Sequence, residues 1–264
     1  MGVLNVTPDS FSDGGRYASP DLAVARGLEI EAEGADIIDV GGESTRPGAG
    51  ETDVTDEIER VIPVIRALRK RTDIPISVDT MKSEVARQAL DAGADIVNDV
   101  SACTRDPAMP GLAADSKAGV LLMHMRGTPR DMQHAPDYAD VAREVVASLR
   151  ARADALLERG VERERLAVDP GIGFGKTLDH NLELLARLNV LTATGYPVVV
   201  GLSRKSFIGT LTGRDVNDRL AGSLAALVFC MLRGARILRV HDVRESRDAV
   251  TVASALERTC HGME

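Results

Sequence analysis

Short apolar runs recur along the chain, and each leads into a polar or charged side chain. Eight runs follow this pattern, and the first polar group after each is Asn5, Asp39, Asp79, Asn98, His124, Asp169, Ser203 or His241. Parallel barrels build their active sites from the carboxyl ends of all their strands. The pattern therefore predicts an enzyme whose active site lies along one rim of eight strands.

The periodicity predicts eight strands and eight helical regions. The predicted strands are 2–5, 36–40, 75–79, 95–99, 119–124, 165–169, 197–201 and 236–241. The predicted helices are 20–33, 55–71, 82–92, 107–116, 138–159, 179–188, 205–233 with a break near Gly213, and 243–258. This alternation predicts an α/β fold, a single-domain (β/α)₈ TIM barrel over residues 1–264. A doubly wound open sheet is the alternative, but such a sheet concentrates its chemistry at one switch point.

Composition and charge narrow the class of protein. The chain has 264 residues, 44% of them hydrophobic, and a net charge of −8, which argues against non-specific binding of nucleic acid. No apolar run approaches the length of about 18 residues that a membrane span requires. Three widely spaced cysteines without a CxxC pair predict neither a disulfide framework nor a zinc site. We therefore expect a cytoplasmic protein with no membrane or nucleic-acid partner.

The last two strands carry candidate anion sites. Arg239 and His241 are two residues apart, so both side chains face the same side of a strand, where they suit a phosphate or diphosphate. Gly201 leads through Ser203 and Lys205 to Ser206 at a strand-to-helix turn, where backbone N–H groups and basic side chains can converge on an anion. Ser206 can accept a carboxylate ligand or cap the helix. Ordinary surface charges and simple capping are the alternatives.

Asp79, Asn98 and Asp169 come from three different predicted strands, at or next to their carboxyl ends. Carboxylate and amide groups suit a heterocycle that presents amino and N–H donors beside a carbonyl group. Structural pairing inside the barrel is the alternative for any one of them, but three at strand ends favour ligand binding.

Two glycine-rich segments lie on the same rim. Residues 169–176 lack the spacing of a P-loop, so we expect their glycines to let backbone approach a ligand beside a wall formed by Phe174. In the segment 41–48, Thr45 and Arg46 can reach an anionic leaving group. The long polar loops 6–19, 41–54 and 125–137 are expected to cover the barrel mouth.

Other strand-end residues have weaker signals. Asn5 offers an amide oxygen to Mg²⁺, with diphosphate and water as the remaining ligands. His124 is expected to be structural or to lie behind the ligand. Asp39 and Asp99 are expected to orient their neighbours.

Taken together, these blocks closely resemble the dihydropteroate synthases, folate-pathway enzymes inhibited by sulfonamides. The matching blocks, in the family's order, are 1–15, 41–48, 77–80, 98–99, 169–176, 203–206 and 239–243. The resemblance implies that (7,8-dihydropterin-6-yl)methyl diphosphate and 4-aminobenzoate, the small-molecule partners, condense to dihydropteroate and diphosphate. Mg²⁺ is the implied cofactor, a homodimer the implied assembly and an SN1-like displacement the implied path, with concerted displacement left open.

The resemblance also implies a role for each matching position. The pterin is held by Asp79, Asn98, Asp169 and Lys205, and Met123 and Phe174 help to wall its pocket. Gly201 is a further substrate-binding position. Mg²⁺ is contacted by Asn5, and the diphosphate region by Thr45, Arg46, Arg239 and His241. The 4-aminobenzoate site is completed by Phe11, Thr45, Arg46, Pro47 and Ser206. Lys205, Arg239, His241 and Asp13 act in catalysis, with Asp13 stabilising positive charge on the pterin.

Three expectations remain beside this one. The family usually carries residues ahead of the first strand, so we expect the barrel bottom to be less well closed here. A pterin-binding methyltransferase domain acting with a corrinoid partner is the rival function, although it does not need the Ser203–Ser206 and Arg239–His241 anion sites. A catalytically silent barrel that acts as a binding partner is the non-enzymatic alternative.

Overall fold

The fold is built on short, buried, parallel strands. The structure, a computed structural model, describes residues 1–7, 20–45 and 48–261. The strands in these ranges are β1 (Gly2–Asn5), β2 (Ile38–Gly41), β3 (Ile76–Asp79), β4 (Ile96–Asp99), β5 (Gly119–Met123), β6 (Leu166–Asp169), β7 (Val199–Gly201) and β8 (Ile237–Arg239). Each observed strand lies at one of the eight predicted positions, because an uninterrupted apolar run marks a strand buried on both faces.

Helices follow the strands and cover the outside of the barrel. Those described are α1 (Pro20–Ala32), α2 (Val54–Arg69), α3 (Ser83–Asp91), α4 (Met109–Asp115), α5 (Val141–Leu157), α6 (Leu178–Ala186), α7 (Leu188–Thr192), α8 (Ser206–Thr212), α9 (Leu220–Leu232) and α10 (Val243–His261). The predicted break near Gly213 is confirmed, because this glycine ends α8 in the left-handed conformation. None of the described helices combines the length and apolar character needed to cross a membrane.

Strand pairing closes the barrel. β1 to β6 pair in sequence order within one sheet, and β7 pairs with β8. Parallel bridges from Gly2 to Val240 and from Val168 to Val198 join the two sheets at both edges. The predicted (β/α)₈ barrel is therefore confirmed, and the open doubly wound alternative is wrong.

Alternate strand residues point into two different environments. Outward side chains such as Leu4, Ile38 and Val78 are almost fully buried against the helices. Each stabilises the fold by about 1.5–3 kcal/mol. Inward apolar side chains form a floor from Met1, Leu121, Ala167 and Val199. Ile37, Ile96 and Ile237 also pack on this floor, and two positions beyond them come the polar residues Asp39, Asn98 and Arg239. The barrel therefore has polar side chains above an apolar base.

The bottom of the barrel is closed at its centre and open at one side. The amino group of Met1 donates to the carbonyl oxygen of Leu238 over 3.1 Å, and the Met1 side chain fills the floor. A cavity of about 330 Å³ lies beside this floor, between β8 and the helices α9 and α10. It is lined by residues that include Asp36, Ile37, Leu227, Arg236 and Arg247. The cavity therefore lies to one side of the barrel axis, which the Met1 side chain covers.

Candidate active site

Strand register brings the predicted side chains to one end of the barrel. Asp79 is paired with both Gly41 and Asn98, Met123 with Asp169, and Gly201 with Arg239. Asn5 is also paired with Gly41, which places it on the same rim. Residues far apart in sequence therefore share one surface, as expected for the carboxyl ends of parallel strands.

Arg239 lies across the centre of this surface. Its Nε donates to Oδ2 of Asp39 over 2.6 Å, and its Nη2 donates to Oδ2 of Asp79 over 2.7 Å. Burial would lower the pKa of Arg239, but the two carboxylates outweigh it and raise that pKa above its usual value. The side chain is thus a permanent cation at the base of the barrel mouth.

Asp39 orients two neighbours at once, in the arrangement expected from the sequence. Its carboxylate is fully buried and accepts from Nδ2 of Asn98 over 3.2 Å in addition to Arg239. This hydrogen bond to Asp39 fixes the orientation of the Asn98 side-chain amide. Asp99 instead accepts from the backbone N–H groups of Ser101 and Cys103, and so shapes a turn.

Two buried carboxyls have perturbed acidity. Burial raises the pKa of Asp79 to about 7, with Arg239 opposing the shift and Asp39 adding to it. Burial also raises the pKa of Asp169, and the ammonium of Lys205 opposes that shift. The Oδ1 atom of Asp169 accepts from the N–H of Gly171 over 2.7 Å, which fixes the carboxyl plane. Perturbed carboxyls in a cleft are typical of functional sites.

Lys205 enters the same space from the turn between β7 and α8, beside Arg239. Its Nζ donates to the carbonyl oxygen of Ile172 and lies 4.8 Å from the centre of the Phe174 ring. Burial lowers the pKa of Lys205 to about 8, with Asp169 opposing that shift. Lys205 and Arg239 therefore flank the Asp169 carboxyl as two cations of different acidity.

The turn after β7 is shaped by groups that face away from the site. Arg204 has a left-handed backbone, and its Nε donates to Oδ2 of Asp242 over 3.0 Å. The expectation that all basic side chains of 203–205 converge on an anion is therefore wrong for Arg204. Ser203 instead accepts the backbone N–H of His241 over 3.3 Å, which joins the two anion segments.

Ser206 is the exposed first residue of α8. The N-cap position belongs to Lys205, whose side chain makes no capping bond, so helix capping does not account for Ser206. His241 and Thr45 are both half-buried on the rim, directly after β8 and in the loop after β2.

Two glycines of the segment 169–176 pack against another loop of the barrel. A Cβ atom on Gly171 would lie 1.9 Å from the carbonyl oxygen of His124, and one on Gly175 would lie 2.4 Å from that of Arg126. These glycines let the backbone approach the loop after β5 and not a ligand. The expectation that the glycines of this segment face a ligand is therefore wrong for Gly171 and Gly175, where two segments of the chain touch.

His124 and Lys176 hold this contact together. The Nζ atom of Lys176 lies 3.0 Å from Nδ1 of His124 and donates to the carbonyl oxygen of Phe174 over 2.9 Å. Burial lowers the pKa of both groups, His124 to about 3, where Lys176 adds to the shift, and Lys176 to about 7. His124 is thus buried and linked through Lys176 to the backbone at Phe174, in keeping with the structural role expected from the sequence.

An apolar wall completes the pocket, and the sequence reasoning found only part of it. Met123 and Phe174 were expected there, and they pack with Met81, Val100 and Met125. A usable signal was present, because Met81 follows Asp79 by two positions and Val100 follows Asn98 by two. Residues two apart along an extended chain face the same side.

The donor set for a metal ion is sparse. No group of three His, Cys, Asp or Glu side chains able to hold a metal occurs within 1–7, 20–45 and 48–261. Asn5 is half-buried on the rim and offers one amide oxygen. Mg²⁺ commonly combines one or two protein oxygens with water and substrate phosphate. The residues fit that mode of binding and not an all-protein cage.

Four of the predicted site residues lie outside the described part of the chain. They are Phe11, Asp13, Arg46 and Pro47. Within the described residues, the pocket is formed by the strand ends, the turns after β6 and β7 and the apolar wall.

The whole chain is similar to known pterin enzymes. A sequence profile described as pterin binding enzyme matches residues 1–241. The chain belongs to the pterin-binding enzyme family. A dihydropteroate synthase of Synechocystis sp. is 48% identical over 259 residues, which cover 98% of this chain and 90% of the relative.

Solved structures of this family superpose on the barrel. The dihydropteroate synthase of Xanthomonas albilineans with 4-aminobenzoic acid has a TM-score of 0.92 at 50% identity, covering 97% of this chain and 92% of that chain. The Yersinia pestis enzyme in a sulfonamide drug complex has a TM-score of 0.93 at 41% identity, covering 98% and 94%. The family resemblance read from the sequence motifs is therefore confirmed.

Proposed function

We propose that this pterin-binding enzyme has the activity of a dihydropteroate synthase. It condenses (7,8-dihydropterin-6-yl)methyl diphosphate with 4-aminobenzoate, giving 7,8-dihydropteroate and diphosphate. One observation carries the proposal: a buried carboxyl and amide pocket adjoins the cations of Lys205 and Arg239 at a single barrel mouth. The whole of residues 1–264 acts as one catalytic domain in this proposal.

Pterin recognition is assigned to the polar strand ends. Asp79 and Asp169 accept from the amino and ring N–H groups of the heterocycle, while Asn98 has both donor and acceptor atoms for its amide edge. The apolar wall that contains Met123 and Phe174 covers the flat face of the ring. Gly201, which has no side chain, keeps the ring edge open near Lys205.

The reaction exchanges one bond for another. The bond between the pterin methylene carbon and the diphosphate oxygen breaks, and its electron pair leaves with diphosphate. The amino nitrogen of 4-aminobenzoate forms the new bond to that carbon and loses one proton. The carbon–oxygen bond can break before the carbon–nitrogen bond forms, or both changes can occur together, and the pocket is compatible with either path. No protein nucleophile is required, so the enzyme acts through positioning and charge.

The leaving diphosphate is assigned to the basic side of the pocket. Lys205, Arg239 and His241 lie on or beside β7 and β8, where preorganised positive charge stabilises the departing oxygens. Mg²⁺, when bound at Asn5, supplies further charge to the diphosphate. Thr45 contacts the same group from the loop after β2. Asp13, outside the described residues, stabilises positive charge on the pterin.

The second substrate is assigned to the outer rim. Ser206 is exposed at the start of α8, where its hydroxyl and the nearby backbone N–H groups can receive the benzoate carboxylate. Thr45 lies on the opposite loop. Phe11, Arg46 and Pro47 complete this assignment and lie outside the described residues.

Product analysis tests the proposal. Purified protein is incubated with both substrates and Mg²⁺, and mass spectrometry should find dihydropteroate with the new carbon–nitrogen bond. Lys205→Met should lose most of this product, whereas Lys70→Met, at an exposed lysine on the far end of α2, should not. Folded protein that forms no dihydropteroate, or that transfers a methyl group from a pterin to a corrinoid, would contradict the proposal.

The proposal also includes a homodimer and a cytoplasmic location. Helices α9 and α10 pack side by side and expose Phe229, Leu232, Val252 and Leu256. Exposed apolar side chains on two packed helices suit an interface, so we propose a homodimer through α9 and α10. Sedimentation should show a dimer that Leu256→Glu dissociates and that Leu22→Glu, on α1, leaves intact.

The cysteines Cys103, Cys230 and Cys260 are unpaired, which suits the proposed cytoplasmic location.

A further inference from the structure

The loop after β2 has its two ends joined by one side chain. Glu43 lies at the start of this loop, and its Oε1 accepts from the backbone N–H of Thr52 near the end over 2.7 Å. The loop therefore leaves and returns to the barrel through a narrow neck. Thr45, assigned above to substrate, is two residues beyond Glu43.

Lys82 fixes that neck to the body of the barrel. Its Nζ donates to Oε2 of Glu43 over 2.9 Å and to Oε2 of Glu57 over 2.5 Å. The Lys82 side chain is 13% exposed, that of Glu43 6% and that of Glu57 0%. Lys82 is the N-cap residue of α3, three positions after Asp79. The cluster thus connects the substrate loop to the strand that carries a proposed pterin carboxylate.

Charge and burial make this cluster sensitive to the loss of one member. Two carboxylates share one ammonium, and Oε1 of Glu57 is buried without a hydrogen-bond partner among the residues described. Burial would lower the pKa of Lys82, but its contacts with Glu57 and Glu43 outweigh this and raise that pKa. Removing one member of such a buried group leaves an uncompensated charge.

The cluster differs from ordinary ion pairs on the same loop. Glu51 of that loop pairs with Arg105 over 3.3 Å, and both side chains are about half exposed or more, at 65% and 46%. Exposed pairs of this kind contribute little energy and little orientation. A buried ion cluster is a poor choice for stability alone, since apolar side chains of similar size often stabilise as well. Its distinctive property is that it fixes Glu43 relative to β3.

We propose that Lys82 is a positioning residue for the 4-aminobenzoate site. It holds Glu43, and through it Thr45, at a set distance from the pterin strand. The inference rests on the proposed function and adds a residue that contacts neither substrate. The pterin ring is held by groups on β3, β4 and β6, and only the diphosphate of that substrate reaches Thr45. The loss of Lys82 should therefore affect binding of 4-aminobenzoate more than binding of the pterin diphosphate.

Steady-state kinetics of matched variants test this inference. Lys82→Met removes the ammonium. Glu43→Gln weakens the contact between Lys82 and residue 43 but keeps an oxygen that accepts from the N–H of Thr52. Each should raise KM for 4-aminobenzoate by about tenfold or more and KM for the pterin diphosphate by a clearly smaller factor. Lys82→Arg, which retains the cation, should recover part of the loss. Glu51→Gln, on the same loop, should match the wild type.

The outcomes separate the inference from the function on which it rests. A wild-type protein without turnover would refute the proposed function. If the wild type is active, three results would overturn the inference alone. They are a normal KM for 4-aminobenzoate in the variants, a rise of both KM values by the same factor, or an effect of Glu51→Gln equal to that of Glu43→Gln. Should Lys82→Met fail to fold, Glu43→Gln decides the question, because it leaves the pair of Lys82 with Glu57 in place.

Discussion

The guanidinium of Arg239 on β8 donates to the fully buried carboxylate of Asp39 on β2, with 2.6 Å between Nε and Oδ2. The same guanidinium holds Asp79, which is assigned to the pterin. Asp39 therefore anchors Arg239 permanently, whereas the bond to Asp79 can be exchanged when a ligand offers its own N–H groups. In this arrangement one cation connects the pterin side of the pocket to the diphosphate side.

Arg239→Ala should lower stability as well as activity. It leaves Asp39 and Asp79 buried without their cation, and breaking a buried pair in this way costs about 3–5 kcal/mol. Urea unfolding should show this loss in full at pH 8. The loss should be smaller at pH 5.5. Burial raises the pKa of Asp79 to about 7, so its carboxyl is protonated and neutral at that pH.

Arg239→Lys is the control for this prediction. It keeps a positive charge near both carboxylates but cannot donate to them as a planar fork. It should retain more stability than Arg239→Ala while still losing activity. An Arg239→Ala protein as stable as the wild type at pH 8 would show that Asp39 does not depend on this ion pair.

The pH profile of kcat/KM for the pterin diphosphate should be bell-shaped. Asp79 has a raised pKa of about 7, so its carboxylate is protonated, and pterin binding weakens, as the pH falls below about 7. Lys205 has a lowered pKa of about 8, so its charge, and its hold on the ligand, are lost as the pH rises above about 8. Activity should therefore be greatest between these two values.

Two variants assign the limbs of that profile. Lys205→Arg carries a charge at every accessible pH, so the alkaline limb should move upward by several pH units or disappear, at whatever activity remains. Asp79→Asn should remove the acid limb. An alkaline limb unchanged in Lys205→Arg would assign that limb to another group.

Gly171→Ala should destabilise the protein much more than Gly213→Ala. The two glycines have nearly the same left-handed backbone, with φ of 66° and 68°. A Cβ atom on Gly171 would lie 1.9 Å from the carbonyl oxygen of His124, whereas nothing lies within 4 Å of one on Gly213. The left-handed strain of about 1–2 kcal/mol is common to both, so the difference in urea unfolding measures the contact between the loops. Equal losses would contradict that close contact.

A sulfonamide should inhibit by competing with 4-aminobenzoate. The Yersinia pestis relative is known in a sulfonamide drug complex, and this chain is 41% identical to it. The drug should raise KM for 4-aminobenzoate and leave kcat unchanged. Activity that persists at drug concentrations far above that of 4-aminobenzoate would refute the prediction.

Much of the fold follows from the sequence, because strand burial leaves a direct signal. The apolar runs before Asp79, Asn98 and Asp169 predict strands whose observed ends are the same residues or the next one. The parallel register then requires these side chains to meet at one rim. That these three side chains lie on one rim was predictable without knowing any interatomic distance, since it depends only on strand order and direction.

Side-chain partners were less predictable, because a charged residue carries no mark of burial in the sequence. Glu43, Glu57 and Lys82 have the composition of a solvated helix face and loop, yet they form a buried cluster. Arg204 belongs to the same block as Lys205 but points toward Asp242. In each case the direction of the side chain depends on packing between elements distant in sequence, which periodicity does not record.

The most direct test of the central claim is diphosphate release by the purified protein. The protein is supplied with (7,8-dihydropterin-6-yl)methyl diphosphate and Mg²⁺, with and without 4-aminobenzoate. The proposed function predicts sustained release that requires 4-aminobenzoate and equals the dihydropteroate formed. Folded protein that releases no diphosphate when both substrates are present would contradict it.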